Sequence, residues 1–331
     1  MDHFQWTARI QKNEPMNLKK LSDPLSFFND TVPIFWGRSI FHALAIAFST
    51  ILAGCLAVSA QTVPDNAFTD LGALPDKDPL PQDSSTAYGV SPDGKIIVGV
   101  SYADTARGSV HAVKWVNGAS LPFALDSLGG KNSAAGNVSA DGAVIVGMSS
   151  TMGNGGEHAV KWVNGESIPT DLGTLGGTDS FAIAVNGDGS VIVGFSKMTG
   201  DKAEHAVEWR DGATSPTDLG ALGGTKSSAV DVSAAGAVIV GESETPSEIG
   251  VSSHAVKWAN GAKVPTDLGI LRSINPLVNL VASSHASAVS ADGSVIVGYA
   301  SFSDEDPGWL IVNRAVSWAD GATNPTDLGI V

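Results

Sequence analysis

Between Asp70 and Val331 short apolar runs recur five times with the same polar punctuation. The clearest copy reads VNGDGSVIVG at 185–194, HAVEW at 205–209, RDG at 210–212 and TDLGALGG at 217–224. The other copies centre on Ile96–Gly99, Val144–Gly147, Val238–Gly241 and Val295–Gly298. A VIVG run is apolar at every position, which is the pattern of a strand covered on both faces. The HAV-x-W run alternates, so in His158-Ala159-Val160-Lys161-Trp162 the His, Val and Trp share one face. An Asp-Gly pair precedes each VIVG run at Asp93, Asp141, Asp188 and Asp292, and Ala235-Gly236 replaces it in the fourth copy. A second pair follows each HAV-x-W run at Asn117, Asn164, Asp211, Asn260 and Asp320. Such pairs between apolar runs predict tight hairpins with positive φ at both turn residues. An Asp-Leu-Gly strand follows, starting at 171, 218, 267 and 327, while Ala124 holds the aspartate slot in the first copy with Asp126 two residues on.

Each copy therefore reads as four short antiparallel strands. HAV begins at 111, 158, 205 and 254, and Arg314-Ala315-Val316 stands in its place last, giving spacings of 47, 47, 49 and 60 residues. Four strands in about 40–50 residues is the size of a propeller blade. The fold class is all-β, a β-propeller-like array of five four-stranded antiparallel repeats near 84–130, 131–177, 178–224, 225–271 and 272–331. A β-solenoid is the alternative, although its coils are usually shorter and lack two such hairpins each. Successive turns of a meander fall at alternate ends of the sheet, so the short Asp/Asn-Gly turns share one rim. The variable connections 102–110, 151–157, 198–204, 244–253 and 302–313, and the insertion 272–284, share the other, where recognition is usually built.

Composition agrees with this picture. The chain has 331 residues, 43% of them hydrophobic, with 38 glycines and only 7% aromatics, which suits a turn-dense β protein. Its formal net charge is −15; residues 1–60 hold five Lys/Arg against four Asp/Glu, so the excess acid lies beyond them. That balance excludes nucleic acid as an expected partner and reads first as a solubility device.

Residues 1–60 read as a leader and export signal with an apolar core at about 40–58, starting at Met1 or Met16, and 61–67 as a short linker. A membrane-spanning anchor is the competing reading, because Ile40–Val58 is long enough to cross a bilayer. The one cysteine, Cys55, follows Leu52-Ala53-Gly54 in a run that resembles a lipobox, which implies lipidation and a lipid anchor in a membrane. Val58-Ser59-Ala60 offers an ordinary cleavage site between Ala60 and Gln61. On either reading the body holds no disulfide, so packing alone must stabilise it.

The His-Ala-x-x-Trp-x-x-Gly and Asp-Leu-Gly-x-Leu-Gly-Gly elements resemble the HAF-type extracellular repeats of bacteria across residues 68–331, with Val113, Val160, Val207, Val256 and Val316 in the Phe slot. The resemblance implies export to the cell surface or outer membrane and a kinship with autotransporter passengers. No activity follows from it.

The repeated histidines His111, His158, His205 and His254 invite a metal reading, but one per repeat at one strand position does not converge on an ion. They read as structural, bonding a loop or the Asp-Leu-Gly aspartate. Trp115, Trp162, Trp209, Trp258 and Trp318 read as packing between repeats. No catalytic, cofactor or metal residues are assigned, and calcium in the turns lacks an EF-hand or nonapeptide pattern. Identical repeats offer identical chemistry, so a site belongs where they differ. The departures are His285, Arg314 and above all Asp304, Glu305 and Asp306, the candidate binding loop. The expected function is an exported binding or adhesion module for a surface ligand, protein or glycan, with no cofactor and no enzymatic role. The alternatives are a carbohydrate-active hydrolase or lyase and a truncated passenger fragment. The fragment reading rests on a surplus: six Asp-Leu-Gly-type segments, counting 70–72, accompany five sets of the other strands.

Overall fold

The computed structural model describes residues 69–75, 84–104, 109–247, 250–271, 282–303 and 311–329. The leader, the linker, Cys55, Ala60, Gln61, Asp304, Glu305 and Asp306 lie outside them. Blade 1 comprises β1 (Ser84–Val90), β2 (Ile96–Asp104), β3 (Ser109–Val116) and β4 (Phe123–Ala124). Blade 2 comprises β5 (Gly129–Val138), β6 (Val144–Thr151), β7 (Glu157–Val163) and β8 (Thr170–Asp171), with a 3-10 turn at Met152–Asn154. Blade 3 comprises β9 (Gly176–Val185), β10 (Val191–Met198), β11 (Glu204–Arg210) and β12 (Thr217–Asp218). Blade 4 comprises β13 (Ser227–Val232), β14 (Val238–Ser247), β15 (Gly250–Ala259) and β16 (Thr266–Asp267). Blade 5 comprises β17 (Ser283–Val289), β18 (Val295–Ser303), β19 (Ile311–Ala319) and β20 (Thr326–Asp327).

Within every blade the strands pair antiparallel in chain order, which is a propeller-like meander and not a solenoid coil. The first strands stand side by side, β1 on β5, β5 on β9, β9 on β13 and β13 on β17. No helix among the described residues is long and apolar enough to cross a membrane.

The apolar alternation explains how the blades stack. The second strand is continuously apolar because each face meets a different neighbour. Val98 of blade 1 packs with Ile145, Val160 and Trp162 of blade 2, and Val146 of blade 2 packs with Ile192, Val207 and Trp209 of blade 3. Val193 meets Ile239 and Trp258, and Val240 meets Ile296 and Trp318. From blade 2 onward each Trp also donates its indole N–H to the preceding blade, as Trp209 does to the Leu172 carbonyl at 2.7 Å and Trp258 to the Leu219 carbonyl at 2.7 Å. A buried serine stitches the same seam: Ser180 accepts from the Ala159 N–H and donates to the Gly173 carbonyl, and Ser227 and Ser284 repeat this one and two blades on. An indole or hydroxyl buried without a partner costs about 1–3 kcal/mol, so these bonds hold each seam in one register.

The glycine of each VIVG run has a steric origin. The first strand of every blade carries a β-bulge opposite it. A Cβ on Gly99, Gly147, Gly194, Gly241 or Gly298 would lie only 1.8–1.9 Å from a carbonyl oxygen of that strand.

Two details differ from the sequence reading. Of the two Asp/Asn-Gly hairpins, positive φ at both turn residues occurs only in the second, and there in blades 1 to 4, as at Asn117 (52°) and Gly118 (70°). In the first hairpin only the glycine is left-handed; the aspartate instead bonds across the turn, with Asp93 Oδ1 accepting from the Ser91 hydroxyl and the Lys95 N–H. The connection 244–253 is also not a free loop, because β14 and β15 run on in register from Glu244↔Ser253 to Ser247↔Gly250.

Candidate functional site

The connections that vary lie at the end of the blades where β2 runs into β3. One step inside this rim, the first and second strands of each blade place two residues opposite each other. In blades 1 to 3 the pairs are Thr86↔Val100, Ala134↔Met148 and Phe181↔Phe195. The two phenylalanine rings of blade 3 stack with centroids 4.8 Å apart. In blade 4 the pair becomes Ser228↔Glu242, and in blade 5 His285↔Tyr299. The repeat thus exchanges an uncharged pair for ionisable groups in two consecutive blades.

These groups meet across the seam. His285 Nδ1 bonds Glu242 Oε2, which also accepts from the Ser253 hydroxyl at 3.2 Å. The His285 ring stacks on Tyr299 with centroids 4.6 Å apart. Burial, together with the nearby Glu242 charge, pushes the Tyr299 phenol up to about 12, so it remains a donor across the physiological range. Arg314 occupies the histidine slot of blade 5, and its Nε is buried with no hydrogen-bond partner among the described residues.

The polar belt extends into blades 2 and 3. Burial raises the pKa of Glu204, Glu242 and Asp179 add to the rise, and Lys226 and Lys197 oppose it. Glu157 is likewise raised by burial and by the Asp179 charge. Burial also pushes Asp179 upward, but its bonds to Lys197 and to the Glu157 N–H outweigh this and hold it below the usual range. The belt therefore mixes two carboxyl groups raised above their usual pKa, Glu157 and Glu204, with one held below it, Asp179. Such a mixture can donate and accept hydrogen bonds and take up or release protons.

The histidines of the repeat are placed elsewhere. His158, His205 and His254 direct Nδ1 at Asp171, Asp218 and Asp267 of their own blades, at 2.9–3.0 Å. In blade 1 Ala124 stands opposite Val113 where the aspartate would be. His111, His158, His205 and His254 lie on four separate blades, and among the described residues no group of three or more His, Cys, Asp or Glu could hold a metal ion. Trp115, Trp162, Trp209, Trp258 and Trp318 are each at most 2% exposed, all in the seams. Sequence reasoning missed Glu242, Tyr299 and Glu204. Their signal was present: the residue after the VIVG glycine reads Val, Met and Phe in blades 1 to 3, and then Glu and Tyr.

No protein-family pattern and no curated protein matches the chain. Solved structures do match. The β-propeller domain of the Trilobed protease from Pyrococcus furiosus aligns with a TM-score of 0.51 at 11% identity, over 74% of this chain and 71% of that one. A TolB-like protein of Agrobacterium tumefaciens aligns at a TM-score of 0.48 and 14% identity, over 75% and 82%. A puromycin-hydrolyzing peptidase of Mycobacterium tuberculosis aligns at 0.47 and 15% identity, over 77% of this chain and 38% of that one. The five sheets thus share the β-propeller fold. The expectation of no enzymatic role is corrected by these matches: the protease propeller that shares the fold belongs to an enzyme, so an all-β repeat architecture gives no ground for setting enzymatic activity aside.

Proposed function

We propose that this chain is an exported, surface-associated β-propeller of the HAF-repeat type that recognises a hydroxyl-rich ligand, a glycan or a polar protein segment, at the loop rim of blades 3 to 5. The observation that carries the reading is the replacement of the stacked Phe181 and Phe195 by Glu242 in blade 4 and by His285 with Tyr299 in blade 5. Replacing a packed apolar pair with a carboxylate and an imidazole carries a desolvation cost, which binding to a polar ligand would offset. The net charge of −15 argues against an anionic polymer as that ligand. The apolar stretch 40–58 agrees with an extracytoplasmic setting. On a glycan array, the wild-type chain is expected to retain a defined set of neutral or basic glycans, and Glu242→Gln to weaken them at least tenfold. Retention unaffected by Glu242→Gln would defeat the proposal.

A second reading, hydrolysis of a bound glycan, draws on Glu204. Burial and the neighbouring Glu242 charge raise its pKa, the direction that suits a general acid in glycoside cleavage. Glu204→Gln abolishing release from a retained glycan while leaving retention intact would distinguish cleavage from recognition.

A further inference from the structure

Arg314 breaks the rule by which this chain satisfies its buried polar groups. Among the described residues its Nε is the one buried side-chain polar atom without a hydrogen-bond partner. A buried N–H that lacks an acceptor costs free energy, and native chains keep few of them. The same slot in other blades shows what is missing. His158, His205 and His254 each bond a carboxylate 13 residues on, in Asp171, Asp218 and Asp267. Asp327 follows Arg314 at the same spacing and in the same register, with Val316 opposite Asp327 as Val207 is opposite Asp218. Yet the ion pairs at this slot are those of blades 2 to 4, and among the described residues none joins Arg314 to Asp327. Asp327 is exposed, and its Oδ1 accepts from the Gly329 N–H as Asp218 Oδ1 does from Gly220.

The buried Nε places the side chain in the seam instead. Arg314 shares a face of β19 with Val316 and Trp318, which pack with Val240, Ala255 and Leu268 of blade 4. It lies there at the level of the rim site. Arg314 stands opposite Ala300, and Ala300 opposite Ser284. Ser284 accepts from the Ala255 N–H, and Ala255 stands opposite Glu242. The residue facing the slot has shrunk as well. It is Ser149, Ser196 and Ser243 in blades 2 to 4, each accepting from a leucine N–H of the preceding blade. In blade 5 it is Ala300, so histidine and serine are exchanged together at the seam that carries Glu242 and His285.

Building on the rim as the recognition site, on which it depends, we propose a latch: Arg314 lies in the seam in this structure and turns outward onto Asp327 when a glycan enters. Turning outward removes the orphan and gives Asp327 the side-chain partner that its three counterparts have. It also vacates the volume beside Ala300, next to the Glu242–His285 contact, for a hydroxyl-bearing ring. Arg314 then need not touch the glycan; it sets how often the site is open. Apparent affinity falls with the fraction of molecules in the competent position, so such a latch tunes binding without a contact of its own. Fixing it outward and removing its outward partner act in opposite directions.

The test repeats the glycan-array measurement with the full chain carrying Arg314→His or Asp327→Asn. Arg314→His restores the side chain that bonds the aspartate in three other blades and clears the seam. It is expected to tighten retention at least about threefold. Asp327→Asn, at an exposed site where the amide oxygen still accepts from Gly329, removes the outward partner and is expected to weaken retention at least about threefold. Without glycan, Arg314→His is expected to raise the Tm, because the orphan is gone, and Asp327→Asn to leave it where it is. Retention shifted in the same direction by both variants, or by neither, overturns the latch. So does a fall in Tm for Asp327→Asn without glycan, which would mean that Arg314 already pairs with it. Retention that responds to Glu242→Gln but to neither of these variants overturns the latch and leaves the rim site standing. Retention of no glycan by the wild-type chain overturns both.

Discussion

Among single residues Asp231 carries the clearest pH signature. It lies beside the bulge of β13, where Oδ1 accepts from the Val232 N–H and Oδ2 accepts from the Val289 N–H of blade 5. Burial outweighs these two bonds and pushes its pKa up to about 6. An unfolded aspartate titrates near 3.9, so the folded state holds the proton more tightly. Its contribution to stability is therefore fully present below about pH 4 and is lost as the pH rises through about 6, to a total of up to about 3 kcal/mol. Blade 2 has Asn137 at the equivalent position, with the same bond to its neighbour, Val138. Asp231→Asn is accordingly expected to gain on wild type by as much as that figure between pH 4 and 7.5, read as the change in urea midpoints. A mutant whose offset from wild type is constant across that range would show that Asp231 does not titrate there. The exposed turn aspartates work in the opposite direction. The Ser290 hydroxyl and the Ser294 N–H hold Asp292 at about 2, so it stays ionised.

At the scale of the strand, the VIVG glycine decides whether the first two strands of a blade can pair. A Cβ on Gly194 would lie 1.8 Å from the Phe181 carbonyl oxygen, and backbone cannot retreat from a packed inner row. Gly194→Ala is expected to cost more than about 3 kcal/mol, through overpacking and lost ladder bonds. The control is Gly136, the bulge residue of β5, where the nearest atom to an added Cβ is 3.9 Å away and φ is not positive. Gly136→Ala should stay within about 1 kcal/mol. Equal losses in thermal denaturation would mean that the close approach is not what fixes this glycine. The contrast also shows how far the strands were legible in the sequence. Period-two alternation in HAV-x-W and the Asn-Gly pairs are local signals, and they mark the third strand and its turn directly. The VIVG glycine records contact with a bulge one strand away, and the seam serines record contact with the neighbouring blade. Nothing local in Ser180 or Gly194 announces a partner elsewhere in the chain. The rim site failed to register for a related reason: Glu242 and Tyr299 stand out only when the five copies are aligned on their glycine, because each is unremarkable within its own strand.

For the whole molecule, nearest-neighbour packing makes stability a matter of position in the array. A repeat array gains roughly a sum of blade terms and interface terms, so a blade with one filled seam opens more readily than a blade with two. Blade 3 has seams on both sides, through the Val146 and Val193 clusters. Among the described residues blade 5 has its seam with blade 4 only, and Ala315 and Leu328 are exposed. Amides of β18 and β19 are thus expected to exchange at least tenfold faster than those of β10 and β11 in native-state hydrogen exchange. Equal protection would mean that the leading face of blade 5 is covered in solution. Blade 1 separates the two effects, since Leu71 and Gly72 already bond Trp115 and Ser85 on its otherwise open side. Leu71→Asp should strip that cover and bring the protection of β2 and β3 down toward that of blade 5, while leaving β18 and β19 unchanged. If both ends loosened together, the blades would be coupled around a closed ring; if blade 1 alone loosened, the array has two independent ends and residues 69–72 act on one of them.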